Sequence, residues 1–392
     1  MNFCGIVCEF NPFHNGHEYI INEAKKQSGS EILCLMSGNF VQRGTPAIES
    51  KYERAKKAIT AGANAVLELP TIYACSNAEN FAFGSIKIFK ALGINKIAFG
   101  IENTSLETLK QVAKLKFENS ERFQTAFKNE IQNGINYNTA LKRSISSTLG
   151  DDGILEVLNK PNNILAIEYL TAMLKLNHDM QIFAINRTDN GYVSKTNKNQ
   201  FLSATAIRSL ILENKNHSEF VPDFALVKKP FNSVHSEIFE KMTILKLKQT
   251  PVSSLSKIYD YTEGIEYRIK KMTMSFGTLD EITNNVASPR YRVPRVQKLL
   301  LYPLLEITQS AVKLAEKTKP AVKVIAISKS NKILLSSYNK KKISLIATNN
   351  DYNSLSPAQN KLIQIDLNAS EIYNTIISSP NFDDKKMGTI FQ

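Results

Sequence analysis

The 392-residue chain has no tryptophan, four cysteines, five histidines, and only 36 acidic residues against 49 basic ones. Cys4, Cys8, Cys34 and Cys75 all fall in the first fifth of the chain and form no C-x-x-C pair. That argues against a zinc knuckle or a disulfide framework and for small apolar core residues in a reducing compartment. No run of eighteen apolar residues occurs, and Met1 leads into a strand-like stretch with no basic, apolar leader, so a cytoplasmic protein with no membrane association is expected. The shortage of acid leaves a net charge of +13. Such an excess points to a polyanionic partner, nucleic acid or an acidic surface, although a lysine-rich proteome gives the same balance.

With 43% hydrophobic and 22% charged residues, the composition is that of a globular protein long enough for two or three domains. "NFCGIVCEF", "EILCLMSG", "AVLELP" and "KIAFGIE" are apolar runs of strand length. Between them "HEYIINEAKKQ", "KYERAKKAITAG" and "NAENFAFGSIKIFKALG" carry apolar residues at helical spacing, the last two closed by Gly62 and Gly93. This alternation predicts an α/β fold, a Rossmann-like parallel sheet with helices on both faces. Residues 104–165 read as helical, "QIFAINR" as a further strand, and "SATAIRSLIL" as a helix with Ser203 as N-cap. The expected division is 1–230 for the sheet domain, 231–310 for a mostly helical, basic region, and 311–392 for a small C-terminal α+β part. In that last part "AVKVIAIS", "KILLSSY" and "KKISLIAT" read as short strands before a polar tail. There is no internal repeat.

The carboxyl edge of such a sheet collects ligands, and here it gathers Glu9 to His17, Ser37 to Gly44, Leu69 to Ser76 and Gly100 to Asn103. Two of the five histidines, His14 and His17, flank Asn15 and Gly16 in this edge. Spaced i and i+3 at a helix start, both imidazoles face the free backbone N–H groups and the positive end of the helix dipole, a place suited to phosphate. Gly16 lets the backbone approach a ligand closely. A plain strand-to-helix turn is the bland alternative. A zinc site needs a third ligand, for which Glu9 is the only nearby candidate.

"NPFHNGH" resembles the HxGH signature of the nucleotidyltransferase superfamily, and "SATAIR" resembles its second signature, an (S/T)-x-(S/T)-x-x-R run at a helix start. Together with "SGNFVQRGTPA", "VLELP", "FGIE", "PNNILAIEYL" and "RYRVPRVQKLLL", they make the whole chain resemble the tRNA(Met) cytidine acetate ligase family. The resemblance implies an ATP-dependent ligase. It activates acetate as acetyl-adenylate, releases pyrophosphate, and transfers acetyl to N4 of the wobble cytidine of elongator tRNA-Met, with Mg²⁺ expected alongside ATP and no metal ligands readable in the chain.

It further implies His14, His17 and Arg208 as catalytic residues. The ATP site would comprise Gly5, Ile6, Val7, Cys8, Glu9, Phe10, Asn11, Pro12, Phe13, His14, Asn15, Gly16 and His17, then Gly100, Asn162 or Asn163, Arg187, Ser203, Thr205 and Arg208. The 1–230 segment becomes the ATP-binding catalytic domain and 231–310 the tRNA-binding region, where Arg290, Arg292, Arg295 and Lys298 flank a helix start at Pro294. Lys340, Lys341 and Lys342 form a weaker basic patch. The loop with Gly38, Asn39, Gln42, Arg43 and Gly44 is a candidate wall for acetate or cytidine. Lys51 and Arg54 serve the phosphates or are solvated, and Glu79 beside Ser76 is a candidate helix cap. Two positions depart from the family: Asn64 for a usual Asp, costing a structural hydrogen bond, and Val193 for a common His. Two rival functions are a nucleotide adenylyltransferase of the cofactor-synthesis type and a noncatalytic RNA-binding protein with a degenerate nucleotide fold.

Overall fold

The computed structural model describes residues 2–133, 135, 137–186, 202–331, 334–379 and 383–392. The apolar runs of the first half form β1 (Phe3–Cys8), β2 (Glu31–Ser37), a short antiparallel pair β3 (Phe40–Val41) and β4 (Thr45–Pro46), then β5 (Ala65–Leu69), β6 (Lys96–Ile101) and β7 (Gln181–Asn186). β8 (Ala321–Ile327), β9 (Ser344–Ile346) and β10 (Ile390–Phe391) come from the C-terminal part. The main sheet runs in the order β10-β8-β5-β2-β1-β6-β7, with β9 also paired to β8. Its pairs are parallel except β5 with β8. The inner strands are apolar without alternation because helices cover both faces. A Cβ on Gly5, in the middle of β1, would lie 2.6 Å from the Phe89 ring, so glycine there lets the Ala78–Leu92 helix lie directly on the sheet.

The sheet positions the site. The chain builds outward through β1, β2 and β5, then returns to lay β6 and β7 on the opposite side of β1. That reversal opens a crevice beyond the carboxyl ends of β1 and β6, where ligands bind in such sheets.

The C-terminal part differs from the expectation. "KILLSSY" contains a helical turn at Leu334–Ser337, and the polar tail is the 20-residue helix Pro357–Ile376, N-capped by Ser356 with Gln359 completing the capping box. β8 extends the main sheet by pairing with β5, and a buried ionic cluster fixes it there. Lys51 Nζ donates to Glu68 (2.7 and 2.9 Å), Asp384 (2.9 Å) and Ser370 (3.1 Å), and Lys323 pairs with Asp384 at 3.3 Å. Between these parts, the helices Ser233–Gln249, Ile265–Ser275, Leu279–Val286 and Val293–Leu305 make the helical region. Among the described residues no helix is long and apolar enough to cross a membrane.

Candidate active site

β1 ends in a turn that Phe10 makes with a left-handed φ of 49°. Phe10 and Phe13 are both fully buried, and their rings support the His17 ring from beneath at centroid distances of 5.0 and 5.7 Å. His14 then caps the Asn15–Ser28 helix. Its Nδ1 accepts from the Gly16 N–H (3.1 Å), while His17 Nδ1 accepts from the His14 N–H (3.3 Å). This is a capping box with two imidazoles in place of the usual hydroxyl and carboxylate. The two rings stack, 3.6 Å between centroids and 20° apart. An Nδ1 that accepts leaves the proton of a neutral ring on Nε2, so each ring offers Nε2–H as a donor beside the positive helix end.

The second motif is brought against the first. Ser203 caps the Ala204–Leu212 helix by accepting from the Ala206 N–H at 3.2 Å. One turn on, the Arg208 guanidinium donates to the Asn11 carbonyl (2.5 Å) and to Thr205 Oγ1 (3.1 Å). Asn15 ties the same elements through the Glu219 and Phe220 carbonyls, each at 3.0 Å. Burial pulls the Arg208 guanidinium down from its ordinary range; Glu9 opposes this and Arg43 adds to it. Arg43 itself is exposed at the rim and makes no ion pair or hydrogen bond among the described residues.

His14, Gly16, His17, Ser203, Thr205 and Arg208 border one cleft of about 450 Å³, with Glu9, Asn11, Arg43, Glu102, Asn162 and Asn186 completing its polar wall. A more apolar recess of about 250 Å³ adjoins it, lined by Ile6, Val7, Cys8, Phe10 and Gly100 among others. Of the remaining expected residues, Gly5 faces Phe89, Pro12 and Phe13 lie beneath the turn, and Asn15 is engaged at its back. Of the asparagine pair, Asn162 borders the cleft. Asn163 is fully buried and spends its amide on main chain. Arg187 and Val193 lie outside the described residues. Glu9, weighed as a third zinc ligand, accepts instead from the Gln42 N–H at 2.7 Å. No group of three His, Cys, Asp or Glu suited to a metal occurs among the described residues.

Three side-chain expectations are corrected. Lys51 and Arg54 are neither on the phosphate side nor solvated, since both are fully buried. Arg54 pins the edge of the cleft from behind by donating to the carbonyls of Glu9 (2.5 Å), Ser37 (3.1 Å), Gly38 and Glu49 (3.0 Å). Glu79 is not a cap: Asn77 caps that helix and Glu79 pairs with Lys175 at 2.5 Å. Asn64 keeps structural bonds, accepting from the Ile32 N–H and donating to Asn331 Oδ1, each at 2.9 Å.

The basic run divides in two. Arg295 forms a bidentate pair with Asp260 (2.7 and 2.8 Å) and lies over the Tyr291 ring, and half-buried Lys298 donates to the Ser76 carbonyl at 3.1 Å. Both hold the Val293–Leu305 helix in place. Arg290 and Arg292 are exposed, with Arg290 bound to Glu263. The second turn of this helix packs beside the cleft rim, since a Cβ on Gly44, next to Arg43, would lie 3.2 Å from Lys298 Cα. Sequence reading put Glu102 in the Gly100–Asn103 edge without naming it as a site residue, and missed Asn186. Glu102 carried a signal in its place two residues past the strand-end glycine of "FGIE".

The HIGH Nucleotidyl Transferase family model matches residues 1–388. A tRNA(Met) cytidine acetate ligase of Caldanaerobacter subterraneus subsp. tengcongensis is 34% identical over 399 residues, covering 99% of this chain and 98% of that one. A ligase of the same name from Thermosipho africanus is 33% identical over 359 residues, covering 89% and 85%. The chain belongs to the tRNA(Met) cytidine acetate ligase family. The crystal structure of the Thermotoga maritima family member TmcAL bound with alpha-thio ATP superposes with a TM-score of 0.87 at 25% identity, covering 100% of this chain and 99% of that one. The apo form of that protein gives a TM-score of 0.88 at 24% identity, which supports the shared fold. The α/β nucleotidyltransferase architecture of the family is therefore the architecture of this chain, and the two motifs that meet in its cleft are those by which the resemblance first showed.

Proposed function

We propose that this chain is a cytoplasmic ATP-dependent tRNA(Met) cytidine acetate ligase whose first reaction takes place in the His14–His17–Arg208 cleft. The observation that carries the reading is the convergence of two imidazole donors, a helix N-terminus and a guanidinium on one polar cleft beside an apolar recess. An acetate oxygen attacks the α-phosphorus of ATP, forming acetyl-adenylate as the bond to the β-phosphate breaks and pyrophosphate leaves. Charge grows on the phosphoryl oxygens and the leaving group, and donors already fixed in place stabilise it without reorganising. His14 and His17 do this through Nε2–H, and Arg208 supplies a forked cation. The recess takes the base, with Gly100 and Asn162 at its mouth. Mg²⁺, if it accompanies ATP, would neutralise part of the phosphate charge, and no cluster of three His, Cys, Asp or Glu among the described residues would hold it.

In the second reaction the N4 amine of the wobble cytidine attacks the acetyl carbonyl. A C–N bond forms, AMP leaves and the amine gives up one proton. Elongator tRNA-Met is held through its phosphates, with exposed Arg290 and Arg292 taking part, and Arg295 and Lys298 contribute by holding the helix. The names of the relatives and the alpha-thio ATP in the Thermotoga maritima structure support the reading. Its test is nucleoside analysis of elongator tRNA-Met incubated with enzyme, ATP and acetate. N4-acetylcytidine, absent when acetate or ATP is withheld, is the expected product. Transfer of AMP to a nicotinate or pantetheine phosphate, or tRNA left unmodified in the presence of ATP and acetate, contradicts it.

A further inference from the structure

Among the described residues, four buried side-chain atoms have no hydrogen-bond partner: Ser37 Oγ, Glu102 Oε2, Thr148 Oγ1 and His217 Nε2. Of these residues, Glu102 is the one that lines the cleft. A carboxylate oxygen is the most costly of the four to leave unpaired, so its isolation calls for a partner that binds there.

Glu102 is nevertheless held firmly. Asn163, fully buried in the first turn of the Pro161–Leu176 helix, accepts from the Glu102 N–H and donates to the Glu102 carbonyl, both at 2.8 Å, while also reaching the Val157 carbonyl at 3.2 Å. Asn162, its neighbour, donates to Glu102 Oε1 at 2.5 Å. One side-chain oxygen is thus consumed, and the other sits buried and unpartnered in a residue of the cleft wall. Two adjacent asparagines on one helix and a strand-end glutamate about 60 residues earlier form a single clamp whose output is one fixed acceptor. With no group of three metal-ligating side chains among the described residues, the fitting partner is an O–H or N–H donor.

We propose that Glu102 is a specificity-determining residue whose Oε2 accepts a hydrogen bond from a donor group of the nucleoside bound in this cleft, either a sugar hydroxyl of ATP or the exocyclic amine of the incoming cytidine. The proposal rests on the reading of the cleft as the ATP site. Asn163 and Asn162 are positioning residues for it, which gives the second asparagine of "PNN" a role without touching the nucleotide.

Glu102→Gln tests this with little change of shape. The Asn162 amide is a donor, so it holds the new side chain with its carbonyl oxygen on that side. The Nε2 amide then lies where Oε2 was, and an acceptor becomes a donor. ATP, 2′-deoxy-ATP and 3′-deoxy-ATP are titrated against wild type and variant by calorimetry, acetate-dependent exchange and tRNA acetylation are measured, and thermal unfolding checks that the variant is folded. If the donor is a sugar hydroxyl, the variant loses about 10–100-fold in ATP affinity, and the wild type's preference for ATP over one deoxy analogue disappears. If it is the cytidine amine, ATP binding and exchange keep their wild-type values and acetylation at saturating ATP falls by a similar factor. A folded variant with wild-type binding, exchange and acetylation overturns the proposal. A wild type that binds ATP but exchanges no pyrophosphate contradicts the functional reading alone, because the binding arm still reports on Glu102; one that binds no ATP overturns both.

Discussion

Replacing Lys51 by methionine probes the part of the fold that joins the C-terminal strands to the cleft. The ammonium is fully buried between Glu68 and Asp384, which are themselves buried. Two lysines, 51 and 323, face these two carboxylates. Burial works against the Lys51 charge, but Asp384 and Glu68 outweigh it and raise its pKa above the usual lysine range. Methionine fills the volume and removes one cation, leaving a carboxylate uncompensated. Breaking a buried pair in this way costs about 3–5 kcal/mol. With an unfolding entropy near 2 cal/mol/K per residue over 392 residues, that is a fall in Tm of about 4–6 °C.

The loss depends on pH. In the wild type the Asp384 pKa is held below the carboxylate range: burial raises it, but Lys51 and Lys323 outweigh this. Its contribution is therefore present above the unfolded pKa, near 4, and disappears as pH falls through the folded value. In the variant a carboxyl without its lysine has a raised folded pKa, so the variant gains relative stability as pH drops. The deficit is greatest near pH 8 and narrows toward pH 4. Unfolding of both proteins followed by circular dichroism from pH 4 to 8 is the assay, and Lys51→Met with Glu68→Gln recovers part of the loss. A deficit under 1 °C at pH 8, or one independent of pH, would mean that the substitution changed only packing and that the buried ion pairs contribute little.

Three further outcomes follow from the same structure. Burial, with Glu68 beside it, pushes the Asp366 carboxyl up to about 7. The folded form thus keeps a proton that the unfolded chain releases near pH 4, and this contribution is lost as pH rises from 4 to 7. Asp366→Asn, which retains the acceptor for the Thr71 N–H, is expected to be about 2–4 kcal/mol more stable than wild type at pH 8 and equal to it below pH 4, read by urea unfolding. Gly38→Ala places a Cβ 2.3 Å from Glu68 Oε1 and is expected to cost about 1–3 kcal/mol; an unchanged midpoint contradicts that packing. Arg290→Ala with Arg292→Ala should weaken binding of elongator tRNA-Met and flatten its log–log salt dependence by about 0.7–0.9 for each phosphate no longer neutralised by a guanidinium, while ATP binding is unchanged. An unaltered salt slope moves the tRNA elsewhere.

What the sequence disclosed and what it hid divide along physical lines. β1, β2, β5 and β6 were legible because strands buried on both faces are written as unbroken apolar runs, and the two motifs were legible because their chemistry is local in sequence. The buried state of Lys51 and Arg54 was not, since their partners are Glu68, Asp384 and carbonyls of Glu9 and Gly38, brought together only by the fold. A lysine and an arginine a turn apart read as a solvated face unless those partners are known. The C-terminal segments misled for a related reason: β8 is a strand in its own right, but nothing local says that it adds antiparallel to β5. The basic run looked uniform, yet Asp260, more than thirty residues away, turns Arg295 into a structural residue. Glu102 and Asn163 are 61 residues apart, and their clamp exists only in the folded chain.

On the proposed function, the His14–His17–Arg208 cleft activates acetate with ATP. Acetate-dependent exchange of radiolabelled pyrophosphate into ATP, by wild type and by His17→Ala, tests it most directly. The expected result is exchange that requires acetate and falls by about 100-fold or more in the variant, whose cleft has lost one preorganised donor. Exchange that proceeds without acetate, or that survives the substitution unchanged, would remove acetate activation from this cleft.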